Sequence, residues 1–159
     1  MIHLQSALDR LKKQLFHLSA LVEENVQLSI KALDTCDREL AKKVKEQDRE
    51  IDRLEVEVEE ECLKILALHQ PVAVDLRFLV AALKMNNDLE RIGDLAVNIA
   101  GCKAIAAGEA APAGIGARLR ELAEKARAMV RKSLEALMNM DADLAREVLE
   151  ADNEVDDDY

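Results

Sequence analysis

Two pairs of acidic side chains give this sequence its clearest candidate for chemistry. Asp48 and Asp52 form one pair, and Glu90 and Asp94 form the other. Within each pair the residues are four positions apart, which places both carboxylates on one face of a helix. Carboxylates that converge repel one another and raise each other's pKa unless a cation neutralises them. Oxygen ligands alone suit hard or borderline cations such as Mg²⁺, Ca²⁺, Mn²⁺ or oxidised iron.

The two pairs are predicted to meet across a helical hairpin that turns at Pro71. Proline disfavours helical geometry in the residue before it, so one helix ends just before this turn and another follows it. Asp52 and Glu90 are equally far from Pro71 in sequence, and so are Asp48 and Asp94. In an antiparallel hairpin such residues lie at similar heights on helices about 8–10 Å apart. Spacing does not fix the rotation of each helix, so whether the acids face one another stays open at this point.

A solvated acidic surface is the alternative interpretation of the same residues. Acid-rich surface helices often carry two carboxylates four residues apart, and Arg91, Lys45 and Arg49 are available as ion-pair partners. The Glu-x-x-His element of ferritin-like di-iron sites is missing, since no histidine lies near these acids in sequence. We expect Asn86, Asn87 and Asn98 at exposed helix positions; the alternative is a supporting role beside a metal ion.

Composition predicts an all-α protein. The chain has 159 residues, about one domain, with 2% aromatic residues, five glycines and two prolines. Half of the residues are apolar and 34% are charged, a mixture typical of long helices packed on one another. A β-rich fold would require more β-branched and aromatic residues and more turn residues.

The net charge of −10 limits the classes of partner. Nucleic acid is an unsuitable partner because the sequence has no basic stripe to displace counterions, whereas cations and basic protein surfaces suit an acidic molecule. The three cysteines are odd in number and far apart, which indicates reduced thiols and a cytoplasmic location. The sequence has neither the apolar run of a signal peptide near its start nor a stretch of about 18 apolar residues that could span a membrane.

Apolar residues recur at helical spacing along most of the chain. They predict helices at about 3–35, 37–69, 72–104 and 115–138, and a further helix from about 141. Between the third and fourth helices, residues 106–114 are rich in Gly and Ala and form the best linker candidate.

An internal repeat organises these helices. When the chain is shifted by 104 residues, Asp37, Leu40, Ala41, Val44, Glu46, Asp48, Glu50 and Asp52 fall on Asp141, Leu144, Ala145, Val148, Glu150, Asp152, Glu154 and Asp156. We therefore divide the chain into a first three-helix repeat at 1–105, a linker at 106–114 and a partial second repeat at 115–159. Because a helix pair cannot bury its apolar side alone, we expect the chain to be a fragment or a truncated gene product.

Two segments carry a resemblance to a known family. They are LHQPVAVDLRFLVAALKMNNDLERIGDLAVNIA and, before it, DREIDRLEVEVEEECLKILAL. Both resemble the first-repeat signature of the PhoU family, and the tandem three-helix repeats resemble its architecture. The resemblance implies a cytoplasmic, often dimeric helical bundle that can associate peripherally with the membrane. Such proteins link the phosphate ABC transporter to a sensor histidine kinase and repress the phosphate-starvation regulon when phosphate is ample.

The resemblance also implies a set of metal ligands. The family's E(D)xxxD motif occurs once per repeat and in several members binds multinuclear clusters, here of iron, zinc, manganese or magnesium. Glu90 and Asp94 match this motif, and Asp48 and Asp52 match the acidic pattern that faces it. In the second repeat the resemblance assigns the corresponding role to two further acids, which are Asp152 and Asp156. The second ExxxD motif itself is missing from this sequence.

Two classes of function remain for comparison. The leading hypothesis is a non-enzymatic regulator that acts by contacting the kinase, the transporter and a second copy of itself, since no nucleophile–base pair or phosphate loop is evident. The alternative is a carboxylate-bridged helix-bundle metalloenzyme, which the missing histidine ligands disfavour. We accordingly predict no catalytic residues.

Overall fold

The structure is a computed structural model that describes residues 2–110 and 112–158. These residues form six helices and no strand, so the all-α prediction is confirmed. The helices are α1 (Ile2–Thr35), α2 (Arg38–His69), α3 (Ala73–Ala100), α4 (Lys103–Ala107), α5 (Ile115–Asn139) and α6 (Ala142–Asp158). Among the described residues, no helix is long and apolar enough to cross a membrane.

The chain divides into two compact units, Met1–Pro112 and Ala113–Tyr159. In the first unit α1, α2 and α3 pack on one another as a three-helix bundle, with α4 at one end. The apolar stripes that the sequence shows at helical spacing supply its core, because each helix turns one such face inward. Its fully buried side chains include Leu11, Leu15, Leu18, Val44, Ile51, Val58, Leu79 and Leu89.

The turn between α2 and α3 makes these helices an antiparallel hairpin. Gln70 ends α2 in the left-handed region with φ 43°, and its backbone N–H donates to the Leu66 carbonyl. Pro71 follows and is buried, and Val72 is extended before α3 begins. Two packed helices that are joined by a connection this short must run in opposite directions. The predicted hairpin is therefore present, with Pro71 at its turn.

The third helix ends earlier than we predicted. It stops at Ala100 rather than near Ala104, because Gly101 leaves the helix and Cys102 adopts an extended conformation. The chain then forms the short α4, which includes residues on both sides of the predicted boundary between 1–105 and 106–114. Ile105 is 2% exposed and packs against the buried core at this end of the bundle.

The second unit consists of the α5–α6 pair, and its corner reproduces the corner between α1 and α2. Asp37 caps α2 by accepting from Leu40 N at 3.1 Å, and Asp141 accepts from Leu144 N at 3.0 Å. The Asp37 N–H donates to the carbonyl five residues before it at 2.9 Å, and the Asp141 N–H does the same at 2.8 Å. A side-chain cap satisfies helix N–H groups that would otherwise lack a partner. The two corners are related by the shift that aligns the repeats.

Candidate metal site

Three of the predicted acids converge between α2 and α3. Asp48 and Asp52 lie on α2, and Asp94 lies on α3. Each offers a carboxylate oxygen, and these three oxygens all lie within 4.8 Å of one another. The Asp48 side chain is half-buried, whereas Asp52 and Asp94 are exposed. The rotation that sequence spacing left open therefore brings these carboxylates to one shared patch.

A glycine on α3 determines how closely the two helices approach at this patch. A Cβ atom on Gly93 would lie 3.3 Å from Ile51 Cγ2 and 3.4 Å from Asp48 Oδ1. The first contact is tighter than side chains normally allow, so a residue larger than glycine would displace its neighbours. Glycine in a helix interior costs roughly 1 kcal/mol relative to alanine. At this position it allows Asp48 to lie directly against the backbone of α3.

One oxygen of Asp48 lacks a hydrogen-bond partner. Asp48 Oδ1 is buried, and no donor among the described residues reaches it. Buried polar atoms almost always have a partner, so an unpaired carboxylate oxygen calls for an explanation. No lysine or arginine of the described residues forms an ion pair with Asp48, Asp52 or Asp94. A hard cation would supply the missing partner, and three oxygens this close together fit such an ion.

The acids also raise one another's proton affinity. Partial burial raises the pKa of Asp48, and the negative charges of Asp52 and Asp94 add to this effect. The pKa of Asp52 is raised by burial and by the charge of Asp94. Both shifts mean that the ionised carboxylates are less favourable here than in water, which is the condition that a bound cation relieves.

Glu90 lies beside this group rather than in it. Its pKa is raised to about 7, first by a side-chain hydrogen bond with Asp94 and then by partial burial and the charges of Asp94, Asp52 and Glu55. A protonated Glu90 can donate to the Asp94 carboxylate, whereas an ionised Glu90 adds a further negative charge beside the patch. The predicted ExxxD pair is thus in contact, with Asp94 closest to the α2 acids.

Two further residues extend the site towards the hairpin turn: Glu55, which sequence reasoning left out, and Asn86, which it considered only as the alternative to an exposed position. Glu55 follows Asp52 by three positions on the same face of α2, and burial together with the charges of Glu59 and Asp52 raises its pKa. Asn86 donates from Nδ2 to the Glu55 carbonyl at 3.0 Å. The helical spacing of Glu55 from Asp52 was the signal available in the sequence.

The expectation of an exposed Asn86 was wrong. This residue is 2% exposed, because it lies on the same face of α3 as Glu90 and packs towards α2. Its Oδ1 is buried without a partner among the described residues. Asn87 and Asn98, by contrast, are exposed as expected.

The two acids predicted for the second repeat are placed differently. Asp152 and Asp156 lie on α6 in the second unit, and both are exposed. Among the described residues, neither forms a group of three potential ligands with other His, Cys, Asp or Glu side chains. The second repeat of this chain therefore presents these acids without the facing pair that Asp94 and Glu90 supply in the first.

Comparison with known proteins identifies the family. The model of the PhoU domain matches residues 15–102 and 119–159, which is most of the chain. The chain belongs to the PhoU family. The two matched segments lie on either side of α4 and the residues that follow it, and they correspond to the two repeats. All four acids of the first-unit patch lie in the first segment, and Asp152 and Asp156 lie in the second.

Sequence relatives and solved structures agree with this assignment. A phosphate-specific transport system accessory protein PhoU homologue of Pseudomonas putida is 39% identical over 153 residues, which cover 96% of this chain and 59% of the relative. The Aquifex aeolicus homologue is 37% identical, and 68% of its length is covered. The chain thus spans about 60–70% of the length of these relatives.

The fold agrees with two crystal structures of the family. That of PhoU from Pseudomonas aeruginosa gives a TM-score of 0.85 at 36% identity, covering 96% of this chain and 73% of that one. That of the phosphate transport system regulatory protein PhoU from Streptococcus pneumoniae gives 0.82 at 27% identity, covering 97% and 72%. The PhoU-like helical bundle that the sequence predicted is confirmed.

Proposed function

We propose that this chain is a non-enzymatic, cytoplasmic regulator of phosphate uptake that couples a phosphate ABC transporter to a sensor histidine kinase and represses the phosphate-starvation regulon. The observation that carries this proposal is the match to the PhoU domain along most of the chain. Several relatives are named as accessory proteins of the phosphate-specific transport system. A regulator of this kind acts through its surfaces, by contacting the transporter, the kinase and a second copy of itself.

The surface around the α2–α3 turn supports a partner-binding role. Leu68, Val72 and Val74 are each more than half exposed, at 67%, 74% and 56%. Exposed apolar side chains that cluster at one place on a protein often mark an interaction surface. The acidic charge of the molecule favours basic partner surfaces. Peripheral contact with the membrane is also part of this proposal.

The partner contacts can be tested by affinity capture. The immobilised full chain is incubated with an extract of phosphate-replete cells, and transporter ATPase subunits and the kinase are detected by mass spectrometry. Both are expected to bind, and a Leu68→Glu/Val74→Glu variant is expected to lose them. Leu149→Glu, which also changes an exposed leucine, is the matched control. Capture of neither partner, together with normal regulon repression in a deletion strain, would overturn the proposal.

The second part of the proposal is a multinuclear metal site of iron, zinc, manganese or magnesium. Asp48, Asp52, Asp94 and Glu90 would hold it in the first repeat, supported by the convergent oxygens and the unpaired Asp48 Oδ1. In the second repeat, Asp152 and Asp156 would contribute ligands to a corresponding second site. A bound cation supplies positive charge that joins the acids of α2 to those of α3, so its role here is to fix the hairpin.

Elemental analysis tests the metal site. The purified chain, loaded with each of the four metals in turn and then desalted, is expected to retain metal. Asp48→Asn/Asp94→Asn is expected to lose it, and Asp152→Asn/Asp156→Asn reports on the second repeat. The matched control removes one exposed acid from each helix through Glu60→Gln and Asp88→Asn. Equal metal content in the Asp48/Asp94 variant and the control would exclude the first-repeat site.

The metalloenzyme remains the competing function because carboxylate clusters in helix bundles also support catalysis. A screen of the metal-loaded chain for hydrolytic and redox turnover separates the two. Stoichiometric metal with turnover that disappears in the Asp48/Asp94 variant would favour the enzyme. Metal without turnover supports the regulator.

A further inference from the structure

A cavity of about 380 Å³ opens at the end of the first unit that is distant from the α2–α3 turn. Its walls come from the first turns of α2, the end of α3 and the short α4. Small and apolar side chains form its floor, with Ala41, Ala100 and Ile105 all buried. The volume lies within the range of small-molecule sites, about 300–1,000 Å³.

Three cations line this cavity on one side. Arg38, Lys42 and Lys45 recur four and three residues apart on α2, a spacing that places them on one helix face. The Arg38 guanidinium is held in position, since Nη2 donates to the Ala106 carbonyl of α4 at 2.6 Å. Its remaining N–H groups can still bind a ligand, because a guanidinium has five.

The charges of this face lack acidic partners. Among the described residues, no carboxylate forms an ion pair with Lys42, Lys45 or Arg38. The whole chain carries 32 acidic residues against 22 lysines and arginines, so a cavity lined by three cations and no carboxylate is opposite in charge to the molecule as a whole. Like charges within two helical turns repel one another, and an apolar floor weakens solvent screening of that repulsion. An anion bound in the cavity would remove this repulsion between the three cations.

The acids of the metal site do not neutralise this face. Asp48 follows Lys45 by one turn of α2, but its Oδ1 lies against Gly93 on α3 and is buried there. The cavity lining contains no Asp or Glu side chain. The two sites on α2 therefore have opposite charge and separate side chains.

We propose that this cavity binds a phosphate-type oxyanion, with the Arg38 guanidinium and the Lys42 and Lys45 ammonium groups as its ligands. A planar guanidinium fork binds two oxygens of such a group, and lysines contribute compact positive charges. The ligand is either free inorganic phosphate or a phosphate headgroup at a lipid surface. The three cations are too few, and the rest of the surface too acidic, for a nucleic acid backbone.

Titration of inorganic phosphate into the full chain tests the proposal. Calorimetry is run with chelator present, so that no metal ion at the acidic patch contributes, and at constant ionic strength set by chloride. Saturable binding is expected, and Lys42→Gln/Lys45→Gln should weaken it by at least about tenfold, since each charge-assisted contact is worth about that factor. The matched control, Lys64→Gln/Lys84→Gln, removes the same charge outside the cavity and should change affinity by less than about twofold.

A vesicle arm separates the two sources of the anion. Sedimentation of the chain with phosphatidylcholine vesicles is compared with and without phosphatidic acid. Lysine-dependent binding to phosphatidic acid without binding of inorganic phosphate assigns a lipid headgroup, and lysine-dependent binding of inorganic phosphate assigns the free ion. A Lys42→Arg/Lys45→Arg variant keeps the charge and should retain binding, which guards against a folding defect in the glutamine variant. No response to either anion, or equal loss in the Lys64/Lys84 control, would overturn the proposal.

Discussion

Gly93 is the residue whose replacement tests the metal site most directly. An alanine here would gain about 1 kcal/mol in helix propensity, and its Cβ would press on Ile51 and on the Asp48 carboxylate at 3.3 and 3.4 Å. Because gain and strain oppose each other, we expect the free energy of unfolding of Gly93→Ala to change by less than about 1 kcal/mol. Displacement of Asp48 should nevertheless weaken metal binding by at least about tenfold, measured by competition with a chelator.

Gly101→Ala is the control for this substitution. Its added Cβ would meet only backbone oxygens, at 3.4 and 3.6 Å, and it lies beyond the end of α3. It is expected to leave metal affinity unchanged. Retention of full affinity in Gly93→Ala would mean that the position of Asp48 against α3 does not matter for the ion.

The raised proton affinities of the acidic patch predict how the metal-free chain responds to pH. The pKa of Glu90 is about 7, above its ordinary value of 4.5, and those of Asp48 and Asp52 are raised as well. A carboxyl whose pKa is higher in the folded state than in the unfolded state stabilises the folded state when protonated. The contribution of these groups to stability should therefore be greatest below about pH 4.5 and fall as the pH rises through about 7.

Urea denaturation between pH 5 and pH 8 measures this dependence. Glu90→Gln removes the group with the largest shift, so its midpoint should fall less over this range than that of the unchanged chain. Glu60→Gln removes an exposed carboxylate of α2 outside the patch and should behave as the unchanged chain does. A saturating divalent cation should also reduce the change in the urea midpoint between pH 5 and pH 8. An identical pH slope in Glu90→Gln would contradict the assigned direction.

Among the elements, α2 and α3 depend on a buried polar contact for their alignment. Asn86 donates to the Glu55 carbonyl, and Asn25 of α1 donates to the Val44 carbonyl in the same way, both at 3.0 Å. Each asparagine is at most 2% exposed. A buried amide favours the one register in which its hydrogen bond forms, as polar residues do in coiled coils. Asn86 thereby fixes the height at which the acids of α2 and α3 meet.

Replacing Asn86 tests this role. Asn86→Ala removes a buried hydrogen bond and leaves space in the helix interface, so it should lower the free energy of unfolding by about 1–3 kcal/mol. Asn87→Ala, at the exposed neighbouring position, should change it by less than about 0.5 kcal/mol. Chemical denaturation of the two variants measures both free energies of unfolding. If both cost the same, the Asn86 contact does not contribute to hairpin stability.

The elements also show what could be read from the sequence. Leu11, Leu15, Leu18 and Val22 are spaced so that only a helix buries them together, and α1 follows that stripe. The turn at Pro71 and the cap at Asp37 were likewise predictable, since proline and aspartate act on the backbone locally. Local signals of this kind were sufficient to predict nearly every helix boundary.

Features that depend on tertiary packing could not be read in the same way. The end of α3 was misplaced because Ala and Lys after Gly101 are good helix formers, and only packing of Ile105 onto the core makes them a separate helix. The burial of Asn86 and the meeting of three carboxylates depend on helix rotation. Sequence spacing restricts that rotation to a face and no further. The site residues could thus be proposed from the sequence, and their convergence required the structure.

For the whole molecule, the two units differ in how much they bury. On α5 only Gly116, Leu134 and Ala136 are buried among the described residues, and α6 has no buried residue. In the repeat alignment, Val148 and Val155 of α6 correspond to Val44 and Ile51 of α2, which are both 0% exposed. Local stability follows buried contacts, so segments with few of them open more often. The same sequence pattern should therefore be stable in the first unit and much less so in the second.

Hydrogen exchange of the full chain measures this difference between matched segments. Residues 41–52 of α2 and 145–156 of α6 are equivalent in the repeat and have similar sequences, so intrinsic exchange rates are comparable. We expect amides of the α6 segment to exchange at least about 100-fold faster, which corresponds to about 2.7 kcal/mol of local stability. Leu134→Ala should speed exchange in α5 and α6 more than in α2, because Leu134 belongs to the second unit. Equal protection of the two segments would show that α6 is covered in solution, and cross-linking of the same sample would then identify what packs on Val148 and Val155.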